Sequence, residues 1–264
     1  MAEPSRLALA LLCLLPLFVS CTGAGKAADL APTVVTLTFD DTFANQAAGL
    51  DVLKRYGMPA TLYVNSKRVD KPRYLTKAQL AAYQAAGHEI AAHTVSHADL
   101  TAVPPAEVRR EICQDRVKLT AMGFRVTSFS YPFGSTNPEA KKVVEQCGYN
   151  SGRGVGDLRS PGSGCRLCAT ANTIPPVDRW KIYTNKSIDA DLNKAKIYVT
   201  QAEEDIGGWV PLVFHHICDG CAANSMDLET FSAFVEWLSK RPSSTEVKTV
   251  HQVIGGAAKP VPRA

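Results

Sequence analysis

Five residues of this chain are of types that hydrolytic enzymes use, and their order makes them a set: Asp40 and Asp41, then His93 and His97, then His215. Two imidazoles at i and i+4 on a turn can point at one ion, and Asp41 adds a carboxylate. Two histidines and one carboxylate leave positions for water and substrate, as a catalytic zinc site requires. Such a metal lowers the pKa of its water toward about 7 and polarises a carbonyl. Asp40 adjoins Asp41 but points elsewhere, because strand side chains alternate, so it is free to accept a proton from that water. His215 can protonate a leaving group. Singly these are weak signals, since an Asp-Asp pair usually caps a helix or faces solvent. The joint pattern carries the reading. By contrast His88 and His251 read as surface or strand-edge histidines, and His216 as facing away into packing.

For these residues to meet, distant strands must bring them to one rim. After Pro32, β-branched or aromatic runs (33–39, 61–64, 89–92, 126–131, a short one near Asn150, 181–183, 210–214, 247–250) alternate with helical stretches (47–56, 77–86, 105–122, 138–147, 192–205, 228–240). Residues 154–179 read as irregular. Gly57, Gly87, Gly123 and Gly148 close four of the helices, and Pro105 and Pro138 open two, the expected caps. Strict alternation predicts an α/β fold with a parallel sheet covered by helices. About seven units fit a distorted (β/α) barrel, closed or nearly so, whose active site opens at the C-terminal rim of the strands. Asp40, Asp41, His93, Phe133 and His215 all follow strand-like runs.

The segments Thr38-Phe39-Asp40-Asp41, His93-Thr94-Val95-Ser96-His97, Tyr131-Pro132-Phe133-Gly134 and Leu212-Val213-Phe214-His215 resemble the motifs of the polysaccharide deacetylase family (carbohydrate esterase family four). The likeness runs in family order over about residues 34–255. It implies a distorted barrel that removes N- or O-acetyl groups from polysaccharides with a divalent metal. By the same resemblance, Asp40 is the base, Asp41, His93 and His97 are metal ligands, and His215 is the acid. Thr94 steadies the metal-loop turn, and the Phe133 N–H sits in the oxyanion hole. Three departures stand out. Thr42 replaces a frequent glycine, and Ser130 and Phe133 occupy the places of an arginine and a tyrosine in the third motif. Arg153 is the candidate to restore the guanidinium, and Asp157 and Asp178 both compete for the carboxylate that tunes His215. The expected cofactor is one zinc ion, with cobalt or nickel as alternatives. The expected substrate is an acetylated glycan (chitin-, peptidoglycan- or xylan-like), and the rival reading is a glycan-binding module with weak or lost catalysis.

Composition sets outer limits. A chain of 264 residues with 45% hydrophobic content and a net charge of +4 can build a core alone. It carries no clustered basic face, which argues against a nucleic-acid partner, and a monomer is expected. Arg6 precedes an apolar run over 7–19 and small residues over 20–24, the pattern of a secretory signal. The run is short of the roughly 20 residues that span a membrane. Either the signal is cleaved after Ala24, or Cys21 is acylated as a lipid anchor, the only membrane contact foreseen. The protein is therefore expected outside the cytoplasm: secreted, periplasmic or anchored to the envelope. The domain reading is a signal over 1–24, a linker over 25–32, the deacetylase domain over 33–256 and a tail over 257–264. Six cysteines remain beyond the signal, and an even number in an exported chain points to disulfides. Cys113 pairs with Cys147 if their outer helices are neighbours. Cys165 with Cys168 and Cys218 with Cys221 is the favoured pairing of the rest, with cross-pairing of the two loops left open.

Overall fold

Strand β1 (Thr33–Asp40) is buried along its whole length, as a strand covered on both faces must be. Its alternation sorts the site from the core. Val35, Leu37 and Phe39 face the helices and join the main hydrophobic cluster. Val34 joins a small second cluster with Tyr63, Ala91, Ile182 and Trp209 from other strands, so the even positions of β1 face the barrel interior. Asp40 is the last of these inward positions.

The structure is a computed structural model and describes residues 1, 31–159, 165–186 and 191–261. The signal and Cys21 lie outside the described residues. The parallel sheet runs β7 (Gly208–Phe214), β1, β2 (Ala60–Val64), β3 (Glu89–Ala92), β4 (Ser128–Ser130), β5 (Ser151–Asp157), β6 (Ile182–Thr184). A late strand, β10 (Thr245–Val247), pairs with the first three residues of β1. Helices α1 (Gln46–Arg55), α2 (Lys77–Ala85), α3 (Pro105–Ala121), α4 (Pro138–Gln146), α5 (Leu192–Glu204) and α6 (Leu228–Ser239) alternate with the strands. This is the distorted (β/α) barrel that the sequence predicts.

The ring closes without a ladder between β6 and β7. Asn172 bridges them: its amide donates to the carbonyls of Tyr183 at 2.9 Å and Trp209 at 3.1 Å and accepts from the Tyr183 N–H at 3.0 Å. Higher up, Asn185 Oδ1 accepts from the Val213 N–H at 2.7 Å. At the other end a short helix, α7 (Val250–Ile254), plugs the barrel, with the Val250 N–H on Thr61 Oγ1 and the His251 N–H on Glu89.

Several elements differ from the sequence reading. The strand expected over 247–250 ends at Val247, because Thr249 and Gln252 form a capping box that starts α7 instead. Strand β5 extends to Asp157, into the stretch read as irregular. Its glycines hid it: a Cβ at Gly152 would lie 2.7 Å from Tyr131 Oη, so the strand needs glycine there to pack. His88 is buried and accepts from the Ala60 N–H at 3.0 Å. Among the described residues three disulfides form: Cys113–Cys147, Cys165–Cys168 and Cys218–Cys221. The first ties α3 to the end of α4 across 34 residues, a loop whose closure stabilises by roughly 3–4 kcal/mol on the chain-entropy model.

Candidate active site

The chain leaves β1 through two left-handed residues, Asp41 (φ 75°) and Thr42 (φ 67°). This reversal turns the Asp41 carboxylate toward the loop after β3. In that loop Thr94 (φ 67°) and His97 (φ 67°) are also left-handed, and Thr94 Oγ1 accepts the His97 N–H at 2.9 Å. The result brings Asp41 Oδ1 within 3.2 Å of His97 Nε2 and 3.9 Å of His93 Nε2. His93 Nδ1 lies 2.8 Å from the Ser130 carbonyl. A carbonyl only accepts, so Nδ1 carries the hydrogen and the Nε2 lone pair faces Asp41, the arrangement that orients metal-binding imidazoles. Burial pushes the His93 pKa down to about 4, against the pull of Asp40 and Asp41, so the ring is neutral and able to coordinate across ordinary pH. One donor atom from each of Asp41, His93 and His97 lies within 4.8 Å of the others. This donor set fits a divalent metal of zinc type.

Asp40 has a different partner. Arg153, from β5, places Nη2 at 2.5 Å from both Asp40 carboxylate oxygens and also donates to Ser130 Oγ. Both residues are buried. Burial drives the Asp40 pKa up, but Arg153, His93 and His215 outweigh it and hold the carboxyl below its ordinary range. Ser130 stands where the resemblance expects an arginine, and the guanidinium arrives from the neighbouring strand instead.

His215 follows β7, and its ring lines a cavity of about 300 Å³ together with Asp40, Asp41, His93, His97 and Phe133. Phe133 is left-handed (φ 60°), is 66% exposed and packs edge to face against His97, with ring centroids 4.6 Å apart. Beside it, a Cβ at Gly134 would meet the Val155 nitrogen at 2.8 Å, so only glycine lets this turn approach β5. Asp157 does not reach the cavity; it pairs with Lys181 at 2.9 Å, and Asp178 pairs with Lys141 at 2.6 Å. Among the described residues no carboxylate besides Asp40 and Asp41 lines the cavity with His215. His216 also lines it, stacked on Phe43 at 3.7 Å, rather than turning away.

Sequence reasoning missed four supporting residues. Asp115, buried in α3, accepts the N–H groups of Ser66 and His93, and burial raises its pKa to about 7. One turn earlier, buried Glu111 accepts the N–H and hydroxyl of Ser96. Arg68 donates to Asp41 Oδ1 at 2.7 Å. Gln46 donates to the carbonyls of both Asp40 and His215, joining the ends of β1 and β7. A Glu-x-x-x-Asp spacing on a helix was the only signal available, and it reads as a solvated face.

Fold and site together define a (β/α) barrel with a polar centre at its strand ends. Residues 27–152, just under half of the chain, match the family model described as polysaccharide deacetylase. The chain is 32% identical over 120 residues to Bacillus subtilis YxkH, covering 45% of this chain and 43% of that protein. It is also 32% identical over 121 residues to a chitin deacetylase of Pestalotiopsis sp, covering 45% and 40% respectively. The matched stretch thus spans less than half the length of these relatives. Among solved structures, the peptidoglycan deacetylase PdaC of Bacillus subtilis shares the fold with a TM-score of 0.54 at 20% identity, covering 84% of this chain and 90% of that one.

Proposed function

We propose that the protein is an exported, metal-dependent hydrolase that removes N- or O-acetyl groups from a glycan. The observation that carries the reading is the convergence of Asp40, Asp41, His93, His97 and His215 on one cavity, with Arg153 closed on Asp40. Asp41, His93 and His97 would hold the metal, which when bound would polarise the acetyl carbonyl and make a water more acidic. Asp40, kept ionised by Arg153, takes the proton of the attacking water. The Phe133 N–H donates to the acetyl oxygen as negative charge develops there. His215 then gives a proton to the departing amine or alcohol, and acetate leaves. Export is supported by the three disulfides and by the signal-like N-terminus. No helix of the described residues is long and apolar enough to cross a membrane.

The test is acetate release from acetylated chito-oligosaccharide, peptidoglycan and acetylxylan fragments, with chelated protein and with zinc, cobalt or nickel restored. Metal-dependent release from at least one substrate is expected. No release from any of them with any metal would refute the reading and leave the glycan-binding alternative.

A further inference from the structure

The loop after β7 gathers a second set of metal-type donors. His216 begins a two-residue strand, β8 (His216–Ile217), that pairs with β9 (Ser225–Met226), and the Cys218–Cys221 disulfide spans the loop between them. One ligand atom from each of His216, Cys218 and Cys221 lies within 4.8 Å of the others. The imidazole is pinned by its stack on Phe43, which itself stacks on Tyr74 at 5.6 Å.

The hydrogen bonding shows where a cation would sit. The Asn45 side-chain NH₂ lies 3.0 Å from His216 Nδ1 and 3.3 Å from Cys221 Sγ. A ring nitrogen and a sulfur therefore converge on the positive end of one amide dipole. The oxygen of the same amide is buried without a hydrogen-bond partner, so turning the amide over would present an oxygen at that point. We propose that reduction of the Cys218–Cys221 disulfide turns His216, Cys218 and Cys221 into a second metal site, selective for a thiophilic divalent cation such as zinc. Reduction by a dithiol transfers two electrons and two protons to the sulfurs and oxidises the dithiol to its own disulfide. Metal binding then releases the two thiol protons. Zn–S distances of about 2.3 Å and Zn–N distances of about 2.0 Å put tetrahedral ligands roughly 3.5–3.8 Å apart. The parted thiolates reach that spacing through the exposed tip Asp219–Gly220. The other two disulfides offer no such set. Cys113 and Cys147 are buried, and Cys165–Cys168 has no third His, Cys or carboxylate in a ligand group among the described residues.

The experiment uses full-length protein carrying Cys13→Ser, Cys21→Ser, Cys165→Ser and Cys168→Ser, oxidised or treated with a phosphine reductant and desalted, then titrated with cobalt(II). Expected is one equivalent without a thiolate-to-cobalt charge-transfer band when oxidised. After reduction, a second equivalent and the band should appear. Adding His216→Ala should weaken that second binding at least tenfold, and adding Cys218→Ser with Cys221→Ser should abolish it. Reduced protein without the band, or a band unchanged in His216→Ala, overturns the proposal. Should the serine background not fold, the same comparison of His216→Ala with the parent, both reduced and with all native cysteines, decides it. The thiolate band cannot arise from Asp41, His93 and His97, so this result is independent of the catalytic reading.

Discussion

Residues 31–152 and residues 153–261 build one rim by different means. In the first part the metal-type groups are seated by their own surroundings: His93 by Ser130 and Asp115, His97 by Thr94, Asp41 by Arg68. In the second part Arg153 crosses from within β5 to Asp40 and Ser130 Oγ, with its guanidinium over the Tyr63 ring, while the His215 ring, just past β7, has no hydrogen-bond partner among the described residues. The contrast teaches that a pre-organised loop writes itself into local sequence, whereas a group delivered from a distant strand does not. Arg153 meets Asp40 across 113 residues and lies one position beyond the matched stretch that ends at residue 152.

The sharpest test of the first part is the centre itself. Asp40→Asn should keep its metal yet lose about 10²–10⁴-fold in turnover, the usual contribution of a general base. His93→Ala should lose metal and activity together. Elemental analysis beside acetate assays separates the two outcomes, and a fully metallated His93→Ala would break the ligand assignment.

Arg153→Ala tests whether a single residue delivered from a distant strand can matter as much. It leaves a buried carboxylate unpaired and should cost about 3–5 kcal/mol in denaturant unfolding. Asp40 has a depressed pKa in the fold, so its ionisation stabilises the protein above the unfolded carboxylate pKa and that stability is lost as pH falls through the folded value. The gap between wild type and variant should therefore narrow below about pH 4. In the variant, the acidic limb of the activity profile should move to higher pH. An unshifted limb would mean that Asp40 works without the guanidinium.

Smaller effects are expected from the scaffold. Asp115→Asn should weaken metal binding by about 10–100-fold, as for other groups that orient ligands, read by competition with a chelator. If Gln46→Ala, which loosens His215, weakens metal binding more than Asp115→Asn does, the contrast between the two parts is reversed. Asn172→Ala should cost about 1–3 kcal/mol for the polar groups it strands. It should also speed hydrogen exchange at the Tyr183 amide while leaving the β2 amides protected.

The same contrast explains what the sequence could tell. Alternating strands and helices with glycines at helix ends were legible because period and caps are local. Asp41, His93 and His97 were legible because their motifs are contiguous. Glu111 and Asp115 were not, since an acidic pair one turn apart means solvent until a loop is known to lie on it. Strand β5 was obscured because packing against Tyr131 demands glycine where propensity asks for side chains. The capping box at Thr249 was present in the sequence, but a β-branched run beside it reads first as strand.

The seam between β6 and β7 bears on what the cleft can admit. Strands joined by a backbone ladder stand about 4.8 Å apart whatever their side chains. Here Asn172 below is tied to Trp209 by two backbone hydrogen bonds and reaches Tyr183 through its carboxamide, and Asn185 above reaches Val213 through its own. Lys186 and Val213, on opposite lips of the cavity, adjoin the upper bridge directly. The width of the mouth is thus a side-chain dimension. Lengthening the upper bridge by one methylene, Asn185 to Gln, should widen the opening while leaving each candidate group on its own strand, so the bore of this barrel can be retuned apart from its polar centre.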